Sequence, residues 1–319
     1  IGDLDADGSL EIVVATFDGF VYAIQADGTT RAGFPVRVAH LTSAQTDPTH
    51  IWDDGIFGSP ALGDLDADGS LEIVVAAFDG KVHVWRADGT VEPGFPVALH
   101  YTSSQPTQDE WNRLFGSPAL GDLDGDGRLD IVAVSNERLR NGQAGAVYAL
   151  YGDGNLHAGG PVHPNWPIIT QSIAVLPMVG EGVTSSPALV DLEGDGQDEV
   201  IVAGNGTPIF EFWRGVQPPR PVAGTPARAV TLPHNRFGSG TNVTTSFDNV
   251  FFSVFASGSI GDLDQDGVHD YVLGGAGPAL LLNLAGGGTA QPFSHMLAAW
   301  STQGGRAAER AGCCQGFRA

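Results

Sequence analysis

The sequence predicts an all-β protein, a β-propeller of four-stranded antiparallel blades. Three observations predict it: an acidic motif recurs five times, each copy breaks into short apolar runs bounded by turn residues, and those runs are apolar on both faces. "IGDLDADGSLEIVVA" at Ile1–Ala15 returns as "LGDLDADGSLEIVVA" at Leu62–Ala76 with one residue changed. Related segments begin at Asp122, Asp191 and Asp262, so successive starts lie 61, 58, 69 and 71 residues apart. Such periods mark architectures in which each unit buries its faces against its neighbours.

The second copy is the fullest and gives the elements in order. A first strand is predicted over Ser59–Leu65, followed by the acidic loop. Glu72–Phe78 makes a second strand, Asp79-Gly80 a turn, Lys81–Arg86 a third strand, Asp88-Gly89 another turn, and Phe95–Leu99 a fourth strand. Asp-Gly between β-branched runs is a strong hairpin signal. "EIVVAAF", "DIVAVS" and "EVIVAG" do not alternate polar with apolar, so each sheet must be covered on both sides. The spacing divides the chain into blades 1–56, 57–114, 115–184, 185–256 and 257–305, about five, as in an incomplete ring. Residues 306–319 break the pattern and read as an irregular tail.

Each acidic loop carries carboxylates at positions 1, 3, 5 and 9 and glycine at position 6. The first supplies Asp3, Asp5, Asp7 and Glu11, the second Asp64, Asp66, Asp68 and Glu72, and the third Asp122, Asp124, Asp126 and Asp130. The fourth has Asp191, Glu193, Asp195 and Glu199, and the fifth Asp262, Asp264, Asp266 and Asp270. Odd spacing turns alternate side chains of a curled loop toward one point, and the glycine permits the bend that returns position 9 to it. The carbonyl of position 7 is expected to add a further oxygen. A hard, all-oxygen set suits Ca²⁺, up to five ions in all, whereas zinc would want His or Cys. An EF-hand is excluded, because position 12 holds Val14, Val75, Ala133, Val202 and Leu273, none with an oxygen ligand.

Charge agrees with metal loops. The 319 residues include 37 Asp and Glu against 15 Lys and Arg, for a formal charge of −22. Nucleic acid is excluded as a partner on that balance. The five loops hold 20 of the acids, and five calcium ions would bring the charge to −12. Cys313 and Cys314 are the only cysteines and build no disulfide framework. No apolar run is long enough for a membrane span. Ile1 already lies inside a repeat, so the chain reads as a fragment.

"FGSPALGDLDADG", starting at Phe57, resembles the FG-GAP repeat of integrin α-subunit propellers and of bacterial surface proteins with FG-GAP or VCBS-type repeats. The resemblance implies a blade whose calcium loop joins its first two strands, and a seven-bladed ring in the integrin type. Five loops are seen here. The "ADGT" and "PGFPV" segments at Ala26–Val36 and Ala87–Val97 are most similar to the bacterial secreted kind.

No nucleophile motif, phosphate loop or zinc signature is present, and the nine histidines are scattered. The sequence is therefore expected to be no enzyme but an extracellular, cell-surface or periplasmic module for recognition, adhesion or scaffolding. Its partner is expected to be a protein or carbohydrate on the propeller face. The alternative is the propeller of a secreted polysaccharide-degrading, lyase-like enzyme; a quinone-dependent dehydrogenase propeller is disfavoured for want of Trp-docking repeats. His83, on a strand between Val82 and Val84, is expected to pack in the core. Two alike connections share His40/His100, Thr42/Thr102 and Trp52/Trp111. They read mainly as packed loops, and Trp52, Trp111 and Trp166 as candidate sugar-stacking faces. Asn205 and Asn242 match glycosylation sequons, weak signals that matter only in a eukaryotic host.

Overall fold

Five antiparallel sheets follow one another along the chain, one per repeat. The computed structural model describes residues 1–38, 55–99, 111–139, 142–170, 183, 185–191, 194–203, 210–214, 257, 259–261, 270–276 and 295–301. The first sheet holds β1 (Ile12–Ala15), β2 (Phe20–Ile24) and β3 (Val36–Arg37), with Gly2 bridging to Glu11 where a first strand is expected. The second has all four predicted strands: β4 (Ala61–Gly63), β5 (Glu72–Ala76), β6 (Lys81–Trp85) and β7 (Val97–Ala98). The third holds β8 (Trp111–Arg113), β9 (Ala119–Gly121), β10 (Asp130–Leu139), β11 (Gly142–Leu150) and β12 (Ile168–Thr170). β13 (Ala188–Val190), β14 (Glu199–Ala203) and β15 (Phe210–Arg214) make the fourth sheet. β16 (Ser259–Gly261), β17 (Asp270–Ala276) and β18 (His295–Ser301) make the fifth.

The first strand of the second repeat is shorter than predicted, and the backbone gives the reason. Ser59 N–H leaves its own ladder and donates to Ser117 Oγ of the next repeat at 2.8 Å. Ser117 N–H does the same to Ser186 Oγ at 2.9 Å, and Ser186 N–H to Ser257 Oγ at 3.2 Å. The Ser-Pro signature is thus a joint between sheets. The glycine before it is required at the same joint: a Cβ on Gly116 would lie 2.5 Å from Val134 Cγ2 and 2.9 Å from the Ser185 carbonyl. Trp111, read as a connecting residue, instead lies in β8, which pairs with the far half of β10.

The absence of alternation is explained by where the strands face. Ile73 and Val75 of β5 pack with Val21 and Ala23 of the first sheet, in a core that also holds Leu4 and Trp85. Val74 and Ala76, on the other face, join Ile131, Ala133 and Tyr148 of the third sheet. Val132 and Val134 then meet Val200 and Val202 of the fourth. Each inter-sheet core is built from aliphatic side chains that contribute about 1.5–3 kcal/mol apiece on full burial. Trp166 sits in the third of these cores at 7% exposure, so its ring is not a sugar-stacking face. Trp52 and both sequons lie outside the described residues. His83 is buried as expected, its ring stacked on Trp85 at 5.5 Å and its Nε2 3.0 Å from Asp79 Oδ2. Trp300 pairs with Tyr271 as Trp85 pairs with Ile73, so the fifth sheet keeps the pairing of the second. Among the described residues, no helix is long and apolar enough to cross a membrane.

Candidate metal centre

Every acidic loop spans the turn between the first two strands of its repeat. Position 9 opens the second strand and pairs with the residue just before position 1: Gly63 with Glu72, Gly121 with Asp130, Val190 with Glu199 and Gly261 with Asp270. Gly2 bridges to Glu11 in the same way. The loop is therefore a closed hairpin turn of fixed length, held at both ends by backbone pairing.

Inside it, side chains are aimed by backbone N–H groups. The position 1 carboxylate takes the N–H of positions 5 and 6: Asp3 from Asp7 and Gly8 at 3.0 and 2.8 Å, Asp64 from Asp68 and Gly69 at 3.1 and 3.0 Å. Asp122 takes those of Asp126 and Gly127 at 3.2 and 2.8 Å, and Asp191 those of Asp195 and Gly196 at 3.1 and 2.8 Å. Position 5 takes the N–H of position 7, as in Asp68 from Ser70 at 2.8 Å. Position 9 is buried and takes the N–H of position 2: Glu11 from Leu4 at 2.9 Å, Glu72 from Leu65 at 2.8 Å, Asp130 from Leu123 at 3.1 Å. The leucine at position 2 is accounted for in the first three loops, since the side chains of Leu4, Leu65 and Leu123 are in the core while their amides hold the buried acid.

Two positions need left-handed backbone. The position 6 glycine has φ of +90° at Gly8, +93° at Gly69, +83° at Gly127 and +84° at Gly196. Position 4 has it too, at Ala6 (+56°), Ala67 (+61°), Gly125 (+79°) and Gly194 (+71°). The requirement at position 4 is masked in the sequence by alanine in the first two copies.

The predicted ligands come together in part. Donor oxygens of Asp3, Asp5 and Glu11 lie within 4.8 Å of one another, as do those of Asp64, Asp66 and Glu72. In the third loop Asp122, Asp124 and Asp126 form such a group, and Asp124 and Asp130 form another with His163. Asp7 and Asp68 stand outside the groups of the first two loops and are held instead by Ser9 and Ser70 N–H. Asp191 takes the N–H groups of Asp195 and Gly196 as in the other loops and Glu199 is fully buried, but among the described residues the fourth loop brings no three donors within that distance. Glu193, Asp262, Asp264 and Asp266 lie outside the described residues, as does the side chain of Asp270.

One further position faces the buried end of the loop, and sequence reasoning missed it. Arg31, Glu92 and His163 are equivalent by backbone: their N–H groups donate to Ala23, Val84 and Ala149 carbonyls at 2.8, 3.0 and 3.0 Å. Arg31 pairs with Asp5, reaches Glu11 at 3.5 Å, and donates from Nε to the Ala87 carbonyl of the next sheet at 2.8 Å. Its hydrogen bond holds Asp5 below the usual carboxylate range. Glu92 instead pairs with Arg86, whose Nη2 is 3.6 Å from Asp66. Burial pushes Glu72 up to about 7, and the charges of Asp66 and Glu92 push the same way while Leu65 N–H opposes them. Burial also raises Asp130, opposed by His163.

Stacked antiparallel sheets of three to five strands, with an acidic turn between the first two strands of each repeat, define a repeat protein of β-propeller architecture. The chain belongs to the FG-GAP-like repeat family, whose model matches residues 3–75, 64–133 and 122–202. No protein of curated function matches it. Among solved structures it is similar to the PilY1 C-terminal domain of Pseudomonas aeruginosa, with a TM-score of 0.52 and 15% identity over 94% of this chain and 59% of that one. Weaker likenesses are to the biofilm matrix protein Bap1 of V. cholerae (TM-score 0.45, 17% identity, 94% and 36% covered) and a rhamnogalacturonan lyase of Bacillus licheniformis (0.36, 15%, 96% and 52%). The chain thus spans less than two-thirds of the length of each, and the first likeness shows the fold alone.

Proposed function

We propose that this chain is a calcium-stabilised recognition module that works outside the cell, in adhesion or surface assembly, with a protein or carbohydrate as ligand. The observation that carries the calcium reading is the convergence of carboxylate oxygens beside a buried position 9 acid, repeated with one hydrogen-bond network. The donor set fits the ion: Asp3, Asp5 and Glu11 would hold it in the first loop, and Asp64, Asp66 and Glu72 in the second. Calcium would supply the positive charge that lets these acids sit together ionised, and so fasten the first hairpin of each blade.

The chain's own residues do the rest. Backbone N–H groups orient the carboxylates in advance, and the inter-sheet cores hold the loops at a fixed spacing. Extracellular calcium is millimolar, enough to fill even weak sites of this class. The location and the adhesive role rest on the metal loops together with the lack of any assigned catalytic set.

The test is a melting curve of the full chain with calcium and with EGTA, paired with binding to its parent cell surface or matrix under the same two conditions. At calcium 100-fold above Kd each site adds about 2.7 kcal/mol. Chelation is expected to lower Tm and to release surface binding. A chain whose melting and binding are both indifferent to EGTA would reject the reading.

A further inference from the structure

The third blade differs from its neighbours at the position facing the buried end of the loop. Where the first two blades have Arg31 and Glu92, it has His163, whose side chain is 0% exposed. Nε2 stands 2.9 Å from Asp130 Oδ1, an approach not aligned as a hydrogen bond, and neither ring nitrogen has a hydrogen-bond partner. A buried polar group without a hydrogen-bond partner is costly, so a ring whose Nδ1 has none and whose Nε2 meets only the Asp130 carboxylate out of alignment requires an account. The ring lies against Tyr151 at a centroid distance of 3.5 Å, tilted by 33°, and Tyr151 in turn stacks on His157 at 3.4 Å.

The carboxylates around the ring are arranged to leave oxygens for it. Asp130 gives Oδ2 to Leu123 N–H and turns Oδ1 toward Nε2. Asp124 completes the group, with one donor atom from each of the three residues inside 4.8 Å. Two carboxylates and one imidazole are a mixed oxygen–nitrogen set. Calcium and magnesium take oxygen, while imidazole suits zinc and its first-row neighbours.

We propose that Asp124, Asp130 and His163 form a binding site for a first-row transition-metal ion of the zinc class. The site goes beyond the calcium reading and does not need it, because Arg31 and Glu92 deny the first two loops the nitrogen that defines it. It shares Asp124 and Asp130 with the third calcium loop, so the two ions compete there. With three protein ligands, solvent completes the coordination.

The test uses Co²⁺ as an optical probe on the full chain without calcium. A visible d–d band of low-symmetry cobalt is expected, saturating at one equivalent. His163→Gln should abolish it, weakening cobalt by more than the roughly 10- to 100-fold that loss of an outer-shell partner costs. Asp66→Ala, in the second loop, should leave the band intact while removing one calcium site; a calcium stoichiometry that Asp66→Ala leaves unchanged, with the cobalt band intact, would sink the calcium reading alone. Because His163→Gln touches a core, the wild-type chain labelled with ¹⁵N at histidine provides an independent measurement. Its His163 ring resonances should shift on addition of Zn²⁺. Resonances that zinc leaves unmoved, or a cobalt spectrum that His163→Gln leaves unchanged, would overturn the proposal.

Discussion

The first and second sheets carry nearly the same second strand, EIVVATF against EIVVAAF, yet they are buried very differently. β5 is buried at every residue, whereas β1 alternates between exposed and half-buried. Ile12 is 46% exposed and Ile73, its counterpart, 0%. Val13 and Ala15 face the second sheet, but Ile12 and Val14 face away from it. The worth of a side chain in this architecture is therefore set by the sheet beside it and not by its own sequence. The acidic loops repeat the lesson. "DLDADGSLE" is identical in both, and the difference lies in the residue brought over it, Arg31 in one and Glu92 in the other.

The sharpest way to break this comparison is to cut the same isoleucine twice. Ile73→Ala is expected to cost about 2–5 kcal/mol in denaturant unfolding, the range for large-to-small changes in a packed core. Ile12→Ala should cost under about 1 kcal/mol, since half the side chain is already in water. Equal losses would mean that the two sheets are not differently supported. Next in size is exchange of charge over the loops. Arg31 competes with a cation for Asp5 and Glu11, so the first loop should bind calcium roughly tenfold or more weakly than the second. Glu92→Arg should erase that advantage and Arg31→Glu should confer it, as read by calcium titration of each variant.

Backbone strain comes third. Gly69→Ala forces an L side chain to φ +93° and should cost about 1–2 kcal/mol, while Ala67→Gly at +61° should change stability by under about 1 kcal/mol. Last comes the proton held by Glu72. Glu72 keeps its proton to about pH 7 in the folded chain but loses it near its ordinary value of 4.5 when unfolded. Without calcium, stability is therefore expected to fall as pH rises across that window, and Glu72→Gln should flatten the fall. A calcium ion bound by Glu72 would displace that proton below pH 7, so calorimetry at pH 6 in buffers of different ionisation heat should register proton release on calcium addition.

Much of this was legible in the residues. The five loops, their place between the first two strands and the burial of both faces of β5, β10 and β14 follow from Asp-Gly spacing and from the failure of "EIVVAAF" to alternate, whereas the expected cover on both sides fails for β1, whose Ile12 and Val14 are exposed. The position over the loop was not. In the third repeat the "GDGNLHAGG" hairpin is longer than "ADGTVEPG", so the linear alignment sets His157 against Glu92 and Arg31. The bond from His163 N–H to the Ala149 carbonyl and the Leu150–Val162 bridge beside it show that the register resumes six residues later. The left-handed residue at position 4 was hidden for a different reason: alanine tolerates that conformation at a cost small enough to be absorbed by a loop stapled at both ends.

The serine joint has a consequence for size. Each sheet lends its amide forward and receives with its hydroxyl, so the contact is directional and the same at three successive steps. A head-to-tail relation of this kind holds no count of its members; it closes when the rotations per step add to a full circle and otherwise runs on. The number of blades is thus an angular sum, and a mutation that alters the turn at one joint, such as a side chain at Gly116, would change the pitch of the whole assembly.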